Sequence, residues 1–349
     1  MIIRYNRYDA QYKIKILLIL VPMMLVALLN YDNPDYITYI TLYEIYYPKS
    51  IFYGSQELGF AFLNQIAISY GLSFQTFRNI VLMVSFFVFV IALYRFAKKE
   101  CVSCASLLLA YGFMSYISNV IQLRQFLANS ICFFALTFLD KKTKKRKVIF
   151  IALIFIASFI HISTIIYLLF ILVVNNLDRK FLRNISLILA TFTMAFGQFF
   201  YQYGQSLFGF LMTIGIRENM EESDALIRSL DFRIIIVFLL AAIISFLCER
   251  DHYTSEKQND YISRINIFFP FFIALATLHT SGGRFLHVLN LIWIIDLSRR
   301  IKYFDTKYKQ IYIISIVILV FLFGVSFWIP GTTNFNHSTL TIFKYNYLF

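Results

Sequence analysis

Long apolar segments, each close to the length of a membrane-crossing helix, recur along this whole chain of 349 residues. Hydrophobic residues make up 59% of it and charged residues only 15%, whereas a typical soluble domain has about 25% charged residues. A chain so poor in polar side chains cannot cover itself with a hydrated surface, so its solvent must be lipid. A cytosolic enzyme, a secreted disulfide scaffold and a disordered protein are therefore excluded. The sequence predicts an all-α polytopic integral membrane protein.

About 20 apolar residues cross a bilayer as a helix, and we predict such spans at 16–30, 78–96, 103–118, 121–139, 184–202, 232–248, 264–280, 284–298 and 311–329. The apolar run 148–174 differs from them because basic clusters flank both of its ends. A single crossing would place one cluster outside, which the positive-inside rule disfavours. We therefore expect a broken or V-shaped helix pair around His161. The chain would form a single transmembrane domain over residues 1–349, with about 10–12 transmembrane helices.

The basic residues also predict the orientation. With the N-terminus cytoplasmic, all but eight of the 32 lysines and arginines fall in cytoplasmic stretches, as the positive-inside rule requires. Topology thus explains the net charge of +13, and we expect no nucleic acid partner. The basic residues on the outer side are Lys49, Arg78, Arg124, Arg217, Arg228, Arg233, Arg284 and Lys344.

Arginine dominates this outer set, although orientation gives no reason for arginine to be there. A guanidinium binds phosphate through a bidentate fork and stays charged in a low dielectric, so the outer arginines form a candidate diphosphate site. The alternative is that several of them only snorkel to the interface or pair with outer acids. Two predicted outer loops, 31–77 and 203–231, are long enough to carry function. Within the first, residues 58–70 predict a short amphipathic helix on the outer leaflet.

The chain has no Walker loop and none of the motifs G-x-G-x-x-G, G-x-S-x-G or H-E-x-x-H. The chemistry must come instead from polar residues at the outer ends of the spans. Arg124 opens a helix, where its charge adds to that of free N–H groups. His161 lies at the expected helix break, as a candidate proton acceptor or a packed residue bonded to a backbone carbonyl. Asp35 and Glu57 are the carboxylates most favoured to reach this face, unless they only neutralise neighbouring arginines.

In their order, these residues resemble the EpsG-like group of bacterial polysaccharide polymerases, which belongs with the Wzy O-antigen and capsule polymerases. The resemblance spans roughly residues 30–300, with one departure at Leu58, where the family often has proline. The matching positions are Asp35, Tyr36 and Tyr39; Glu57, Gly59 and Phe60; Arg124, Gln125 and Ala128; His161 and Ser163; and Arg284.

The resemblance implies an enzyme of the bacterial inner membrane whose active site faces the periplasm. Such a metal-independent glycosyltransferase moves a growing glycan from undecaprenyl diphosphate to a sugar hydroxyl of an incoming lipid-linked repeat unit. It uses no cofactor, and a Wzz-like chain-length regulator and a flippase are implied partners. His161, Glu57 and Asp35 would be catalytic, and Tyr36 and Tyr39 would bind sugar. The diphosphate would be bound by Arg124, Arg284, Gln125, Arg78 and Arg228.

Two other functions are compatible with a basic outer face. A lipid-linked oligosaccharide flippase or exporter is disfavoured because we find no internal repeat and no paired broken helices in corresponding halves. An O-antigen ligase-type transferase, or a membrane acyltransferase, would use a similar set of arginine and histidine residues. A ligase usually needs a large periplasmic segment, and 203–231 is small for that role.

Overall fold

A computed structural model describes residues 2–49, 57–139, 143–174, 178–213, 238–243, 245–246, 261–277, 286–303, 306–328 and 335–348. Every regular element in these ranges is helical, which confirms the predicted all-α class. The α-helices are α1 Ile2–Leu29, α2 Tyr36–Thr41, α3 Leu58–Ser69, α4 Phe74–Glu100, α5 Cys104–Met114, α6 Tyr116–Ile121, α7 Leu123–Leu136, α8 Lys144–Ile160, α9 Phe170–Val174, α10 Arg179–Thr213, α11 Tyr261–Ile267, α12 Phe269–Thr277, α13 Leu286–Tyr303, α14 Thr306–Trp328 and α15 Leu340–Lys344. Two π-helical turns, Leu42–Tyr46 and Phe335–Thr339, and a 3-10 helix, Ile162–Leu169, complete the set.

Helix α4 is, within the described ranges, the one helix both long and apolar enough to cross a membrane. Its 27 residues contain a window of mean hydropathy 2.4 and extend about 40 Å at 1.5 Å per residue. It begins after Ser73, whose hydroxyl accepts a hydrogen bond from the Thr76 N–H. It ends at Cys101, whose φ of 55° stops the helix in the left-handed region. The number of membrane crossings and the side of each terminus stay predictions.

Some predicted spans are broken or displaced. The segment 103–118 contains two helices, because Ser115 (φ −130°, ψ −14°) separates α5 from α6. Likewise 264–280 is divided at Phe268, and Pro270, which has no N–H to donate, lies in the first turn of α12. Helix α10 runs to Thr213 and so occupies the first part of the predicted outer loop 203–231. Residues 214–231 of that loop lie outside the described ranges.

The predicted helix break at His161 is present. Helix α8 ends at Ile160, and His161 is extended (φ −152°, ψ 109°) before the 3-10 helix Ile162–Leu169 begins. The His161 carbonyl accepts hydrogen bonds from both the backbone N–H and the buried hydroxyl of Thr164, at 3.1 and 2.8 Å. Helix α8 and the 3-10 helix contact each other. The break therefore fixes the position of His161 rather than leaving it on a loose loop.

The helices that carry the site share one aromatic core. Helix α4 packs against α7, and α7 packs against α8. Between α4 and α7, Phe89 stacks on Phe133 with 5.5 Å between ring centroids, and Phe86 meets Phe126 edge-on at 4.9 Å. Aromatic pairs in such geometries contribute about 0.5–1.5 kcal/mol beyond their buried area. The start of α7 is therefore rigidly supported.

A buried charged cluster joins α4, α11 and α13 at the Glu100 end of α4. Asp296 is 0% exposed, and it accepts hydrogen bonds from Arg300 Nε at 3.1 Å and Asn266 Nδ2 at 3.0 Å. Arg299 pairs with Asp296 and, over 3.1 Å, with Glu100 at the end of α4. An acid inside an apolar segment needs such partners, since an unpaired buried charge is very costly.

Candidate functional site

Three predicted site residues, far apart in the sequence, meet in one contact set. Glu57 Oε2 lies 2.7 Å from Arg124 Nη1, and Glu57 Oε1 lies 2.8 Å from His161 Nδ1. The three side chains are only 11–17% exposed. The carboxylate therefore bridges a cation at the start of α7 and an imidazole at the end of α8.

Glu57 reaches this position from the start of α3. Its extended backbone (φ −57°, ψ 125°) begins the helix, and its carbonyl accepts hydrogen bonds from the N–H groups of Phe60 and Ala61. The predicted helix at 58–70 is thus confirmed as Leu58–Ser69, and the leucine at position 58 does not prevent it. Phe60 is buried against Phe77 of α4, with 5.9 Å between ring centroids. This contact places the site at the Phe74 end of α4, and Phe77 lies about 35 Å along the helix axis from Glu100, which contacts the Asp296 cluster.

Gly59 permits the close approach of α3 to α8. A Cβ atom at Gly59 would lie 2.7 Å from the carbonyl oxygen of Phe159, and that atom belongs to the rigid end of α8. Because Phe159 lies two residues before His161, this contact sets the distance between the two helices beside the Glu57–His161 hydrogen bond. A glycine is needed here for space, not for an unusual backbone conformation.

Arg124 stands in the first turn of α7, where backbone N–H groups have no helical acceptor. The N-terminus of a helix and a guanidinium together favour an anion. In this structure a carboxylate oxygen of Glu57 contacts the Arg124 guanidinium at 2.7 Å.

Electrostatic interactions keep the Glu57 carboxylate ionised. Burial of Glu57 raises its pKa, but the hydrogen bond to His161 and the charge of Arg124 outweigh burial and lower the pKa to about 2. An ionised carboxylate only accepts hydrogen bonds, so His161 Nδ1 must carry the proton. In the neutral form of the ring the lone pair is then on Nε2, which has no hydrogen-bond partner among the described residues. The arrangement can accept a proton at Nε2.

Tyr47 is a residue that the sequence analysis missed. It is 0% exposed, and its ring packs with Ala61 in the first turn of α3. Its hydroxyl has no hydrogen-bond partner within the described ranges. Burial raises the pKa of Tyr47 to about 12, while the nearby Arg124 charge lowers it. No sequence feature distinguishes Tyr47 from the many other tyrosines in residues 31–77, so its burial beside α3 could not be predicted.

The other outer candidates on α2 lie near this set. Asp35 precedes α2, and its own N–H donates to Asn33 Oδ1 at 3.2 Å. The Tyr36 hydroxyl donates to Gln75 over 3.2 Å. Tyr39 packs edge-on against Phe60, with 5.9 Å between ring centroids, and so reaches the first turn of α3. A catalytic role for Asp35 and sugar binding by the two tyrosines stay predictions.

The predicted diphosphate ligands fall into different environments. Arg78 is 2% exposed, and its guanidinium donates to the carbonyls of Ala27 and Asn30 at 3.2 and 2.9 Å. These contacts cap the end of α1, a structural task, so its predicted role gains no support. Gln125 is buried, and neither of its amide atoms has a partner among the described residues. Arg284 and Arg228 lie outside the described ranges.

The C-terminal residues complete the surroundings of Arg78. Tyr31 N–H donates to the Tyr345 carbonyl at 2.9 Å, and Tyr347 N–H donates to the Leu29 carbonyl at 3.1 Å. Asn30 forms an isolated antiparallel bridge with Asn346. Residues 345–347 therefore lie at the Leu29 end of α1, close to the structural arginine.

No curated protein and no solved structure matches the chain. The family model of the EpsG family matches residues 13–347, which is nearly the whole sequence. The match includes every residue of the Glu57–Arg124–His161 set. The chain belongs to the EpsG family.

Proposed function

We propose that this membrane protein is a Wzy-like polysaccharide polymerase that extends O-antigen or capsule on the periplasmic face of the inner membrane. Its substrate is an oligosaccharide linked to undecaprenyl diphosphate. The observation that carries the proposal is the contact set of Glu57, Arg124 and His161, which combines an anion-binding cation with an oriented base. Membership of the EpsG family supports the same class of reaction.

The reaction replaces a glycosyl phosphate bond with a glycosidic bond. A hydroxyl oxygen of the incoming repeat unit forms a bond to the anomeric carbon of the growing glycan. The bond from that carbon to the diphosphate oxygen breaks, and undecaprenyl diphosphate leaves with the bonding electron pair. The hydroxyl proton goes to a base. Because the leaving group is already activated, the step needs no nucleotide.

His161 is the base in this proposal. Glu57 holds the Nδ1 proton at 2.8 Å, so Nε2 is the atom that takes the proton from the acceptor hydroxyl. The carboxylate also stabilises the imidazolium that forms, as in other carboxylate–histidine pairs. General base catalysis of this kind contributes about 10²–10⁴-fold to a rate.

Arg124 stabilises the leaving diphosphate. Its guanidinium is held by Glu57 at 2.7 Å in the substrate-free protein, and the diphosphate competes for it with two negative charges against one. Arg284, Arg228 and Gln125 are proposed as further ligands, and the buried amide of Gln125 has no partner among the described residues. Asp35 is the alternative base, and Tyr36 and Tyr39 are proposed to contact sugar rings. A chain-length regulator and a flippase are the proposed protein partners.

Complementation of a polymerase-null strain of the matching serotype tests the proposal, with the glycan ladder scored on a gel and protein levels checked by blot. Wild type is expected to restore the ladder. Arg124→Ala and His161→Ala, at normal levels, are expected to leave lipid A core with a single repeat unit. Loss of even that single-repeat band would indicate export or ligation instead and contradict the proposal. A full ladder in the null strain itself would also contradict it.

A further inference from the structure

A small cavity lined by both polar and aromatic side chains lies in the helical core. Its walls come from α4, α5, α6, α7 and α13, and they include Asn119, Asn129, Tyr111 and His287. His287 Nδ1 and Nε2 lie 3.2 Å from the hydroxyl oxygens of Ser115 and Ser118 respectively. Polar side chains are costly inside a protein that folds in lipid, so those that line this cavity call for an explanation.

Three amide atoms in this cavity are without a partner among the described residues. They are Asn119 Oδ1 and both Nδ2 and Oδ1 of Asn129, and each asparagine is only 3% exposed. The remaining amide atom, Asn119 Nδ2, donates to the Tyr111 hydroxyl at 3.0 Å. A buried amide without a hydrogen-bond partner destabilises a folded protein, because it has lost its bonds to water and gained none in return. The cavity therefore carries a cost that a ligand would remove.

Two other buried asparagines, Asn33 and Asn346, do have hydrogen-bond partners. Asn33 Nδ2 donates to Asn30 Oδ1 at 3.1 Å, and its own Oδ1 accepts from the Asp35 N–H. Asn346 Nδ2 donates to the Val26 carbonyl at 2.7 Å. Asn290 is also buried without a hydrogen-bond partner among the described residues, but it does not line the cavity; Asn119 and Asn129 differ in that both line one shared cavity.

The chemistry of the lining selects the ligand. The unpartnered atoms comprise one donor group and two acceptors on neutral side chains, and neither a carboxylate nor an arginine or lysine is among the lining residues. An ion would therefore lack a counter-charge. A hydroxyl group both donates and accepts, and a buried water makes about three hydrogen bonds.

We propose that the cavity between Asn119, Asn129 and His287 binds a hydroxyl-bearing ligand, either a resident water or a hydroxyl of the acceptor sugar. The sugar source rests on the proposed function. Asn129 lies five residues after Arg124 on the same helix, about 7.5 Å along its axis. A hydroxyl bound there would be held on the helix that also holds the diphosphate.

Asn129→Leu, a change of similar volume, separates the two sources. The purified protein is followed by its unfolding temperature in detergent without substrate and by the KM for the lipid-linked acceptor. With a resident water, the unfolding temperature falls by a few degrees and KM is unchanged, because Asn129 and Asn119 lose a bonded partner. With a sugar hydroxyl, the temperature rises, since an unbonded amide is removed, and KM rises about tenfold.

Asn33→Leu is the matched control for the unfolding temperature and is expected to lower it, because that amide is fully bonded. A higher unfolding temperature with an unchanged KM, or no change in either quantity, would overturn the proposal. If Asn129→Leu does not fold, Asn129→Ala gives the same comparison with room left for water. If wild type makes no polymer, the proposed function fails. The unfolding temperature of Asn129→Leu still tests whether the cavity holds a resident water.

Discussion

Glu57 Oε1 lies 2.8 Å from His161 Nδ1, although 104 residues separate the two in the sequence. The contact depends on two backbone features that place the side chains, the start of α3 at Leu58 and the end of α8 at Ile160. One carboxylate thereby orients a base with one oxygen and holds Arg124 with the other. In the proposed function, substrate binding at Arg124 and proton transfer at His161 would therefore be linked through a single residue.

The first prediction concerns pH and stability. The pKa of Glu57 is about 2 in the folded protein, below its ordinary value of 4.5. A depressed folded-state pKa means that the ionised form of Glu57 stabilises the folded protein. This stabilisation is fully present above pH 4.5 and is lost as the pH falls through 2. We expect Glu57→Gln to lower the free energy of unfolding by about 3 kcal/mol at pH 7, and by clearly less at pH 3.

Unfolding temperatures of wild type and Glu57→Gln in detergent, compared from pH 7 to pH 3, measure this difference. Glu44→Gln replaces an exposed carboxylate in the same outer segment and is expected to change little at any pH. A wild-type advantage that has already disappeared at pH 6 would show that Glu57 is not held ionised by Arg124 and His161.

The second prediction concerns the close approach at Gly59. A methyl group there would lie 2.7 Å from the Phe159 carbonyl oxygen, so α3 and α8 must separate in Gly59→Ala. We expect glycan transfer to fall about 100-fold, as for a misplacement near 1 Å at a catalytic group. Gly112→Ala is the control, because its added methyl group would make ordinary contact with Met23 at 3.5 Å.

Transfer rates of the two alanine variants, normalised to the amount of folded protein, decide the matter. Equal rates would mean that α3 can shift without loss of the Glu57–His161 contact. Equal loss in both variants would mean that the protein tolerates no added volume between its helices and that Gly59 has no special position.

Much of this site could be predicted from the sequence, because charged and titratable side chains are uncommon at the ends of apolar spans and so identify candidate functional residues. Glu57, Arg124 and His161 were all expected at one face, and the break at His161 followed from basic clusters at both ends of 148–174. Their pairing did not follow. Nothing in the sequence says which carboxylate, Asp35 or Glu57, meets the histidine, since that depends on how α3 packs on α8.

Other features were not predictable from hydropathy. The assignment of Arg78 to diphosphate treated an outer arginine as available, but its guanidinium caps the carbonyls at the end of α1. A hydropathy window averages over about 19 residues and cannot detect a backbone break such as Ser115. The orphaned amides of Asn119 and Asn129 become visible only when the neighbouring helices are in place.

The third prediction concerns the charged cluster at the far end of α4. Asp296→Asn leaves the buried Arg300 without the carboxylate that neutralises it, and it removes one of the two carboxylates that pair with Arg299. We expect a loss of about 3–5 kcal/mol in stability. Because the site lies at the other end of α4, the KM for acceptor should not change in the protein that remains folded.

Asp178→Asn is the matched control, since Asp178 is an exposed cap of α10 and asparagine caps a helix equally well. Unfolding temperature and KM are measured together for both variants. A raised KM in Asp296→Asn with an unchanged unfolding temperature would place Asp296 in substrate binding and contradict a structural role.

The most direct test of the account is a double-mutant cycle of Glu57→Gln and His161→Ala, read as the transfer rate of purified protein at saturating substrate. If Glu57 acts on the chemical step through His161, the double variant is as slow as His161→Ala alone, because the second change removes a partner that has already gone. If the two losses multiply instead, Glu57 and His161 act independently, and the proposed orientation of the base by Glu57 is wrong.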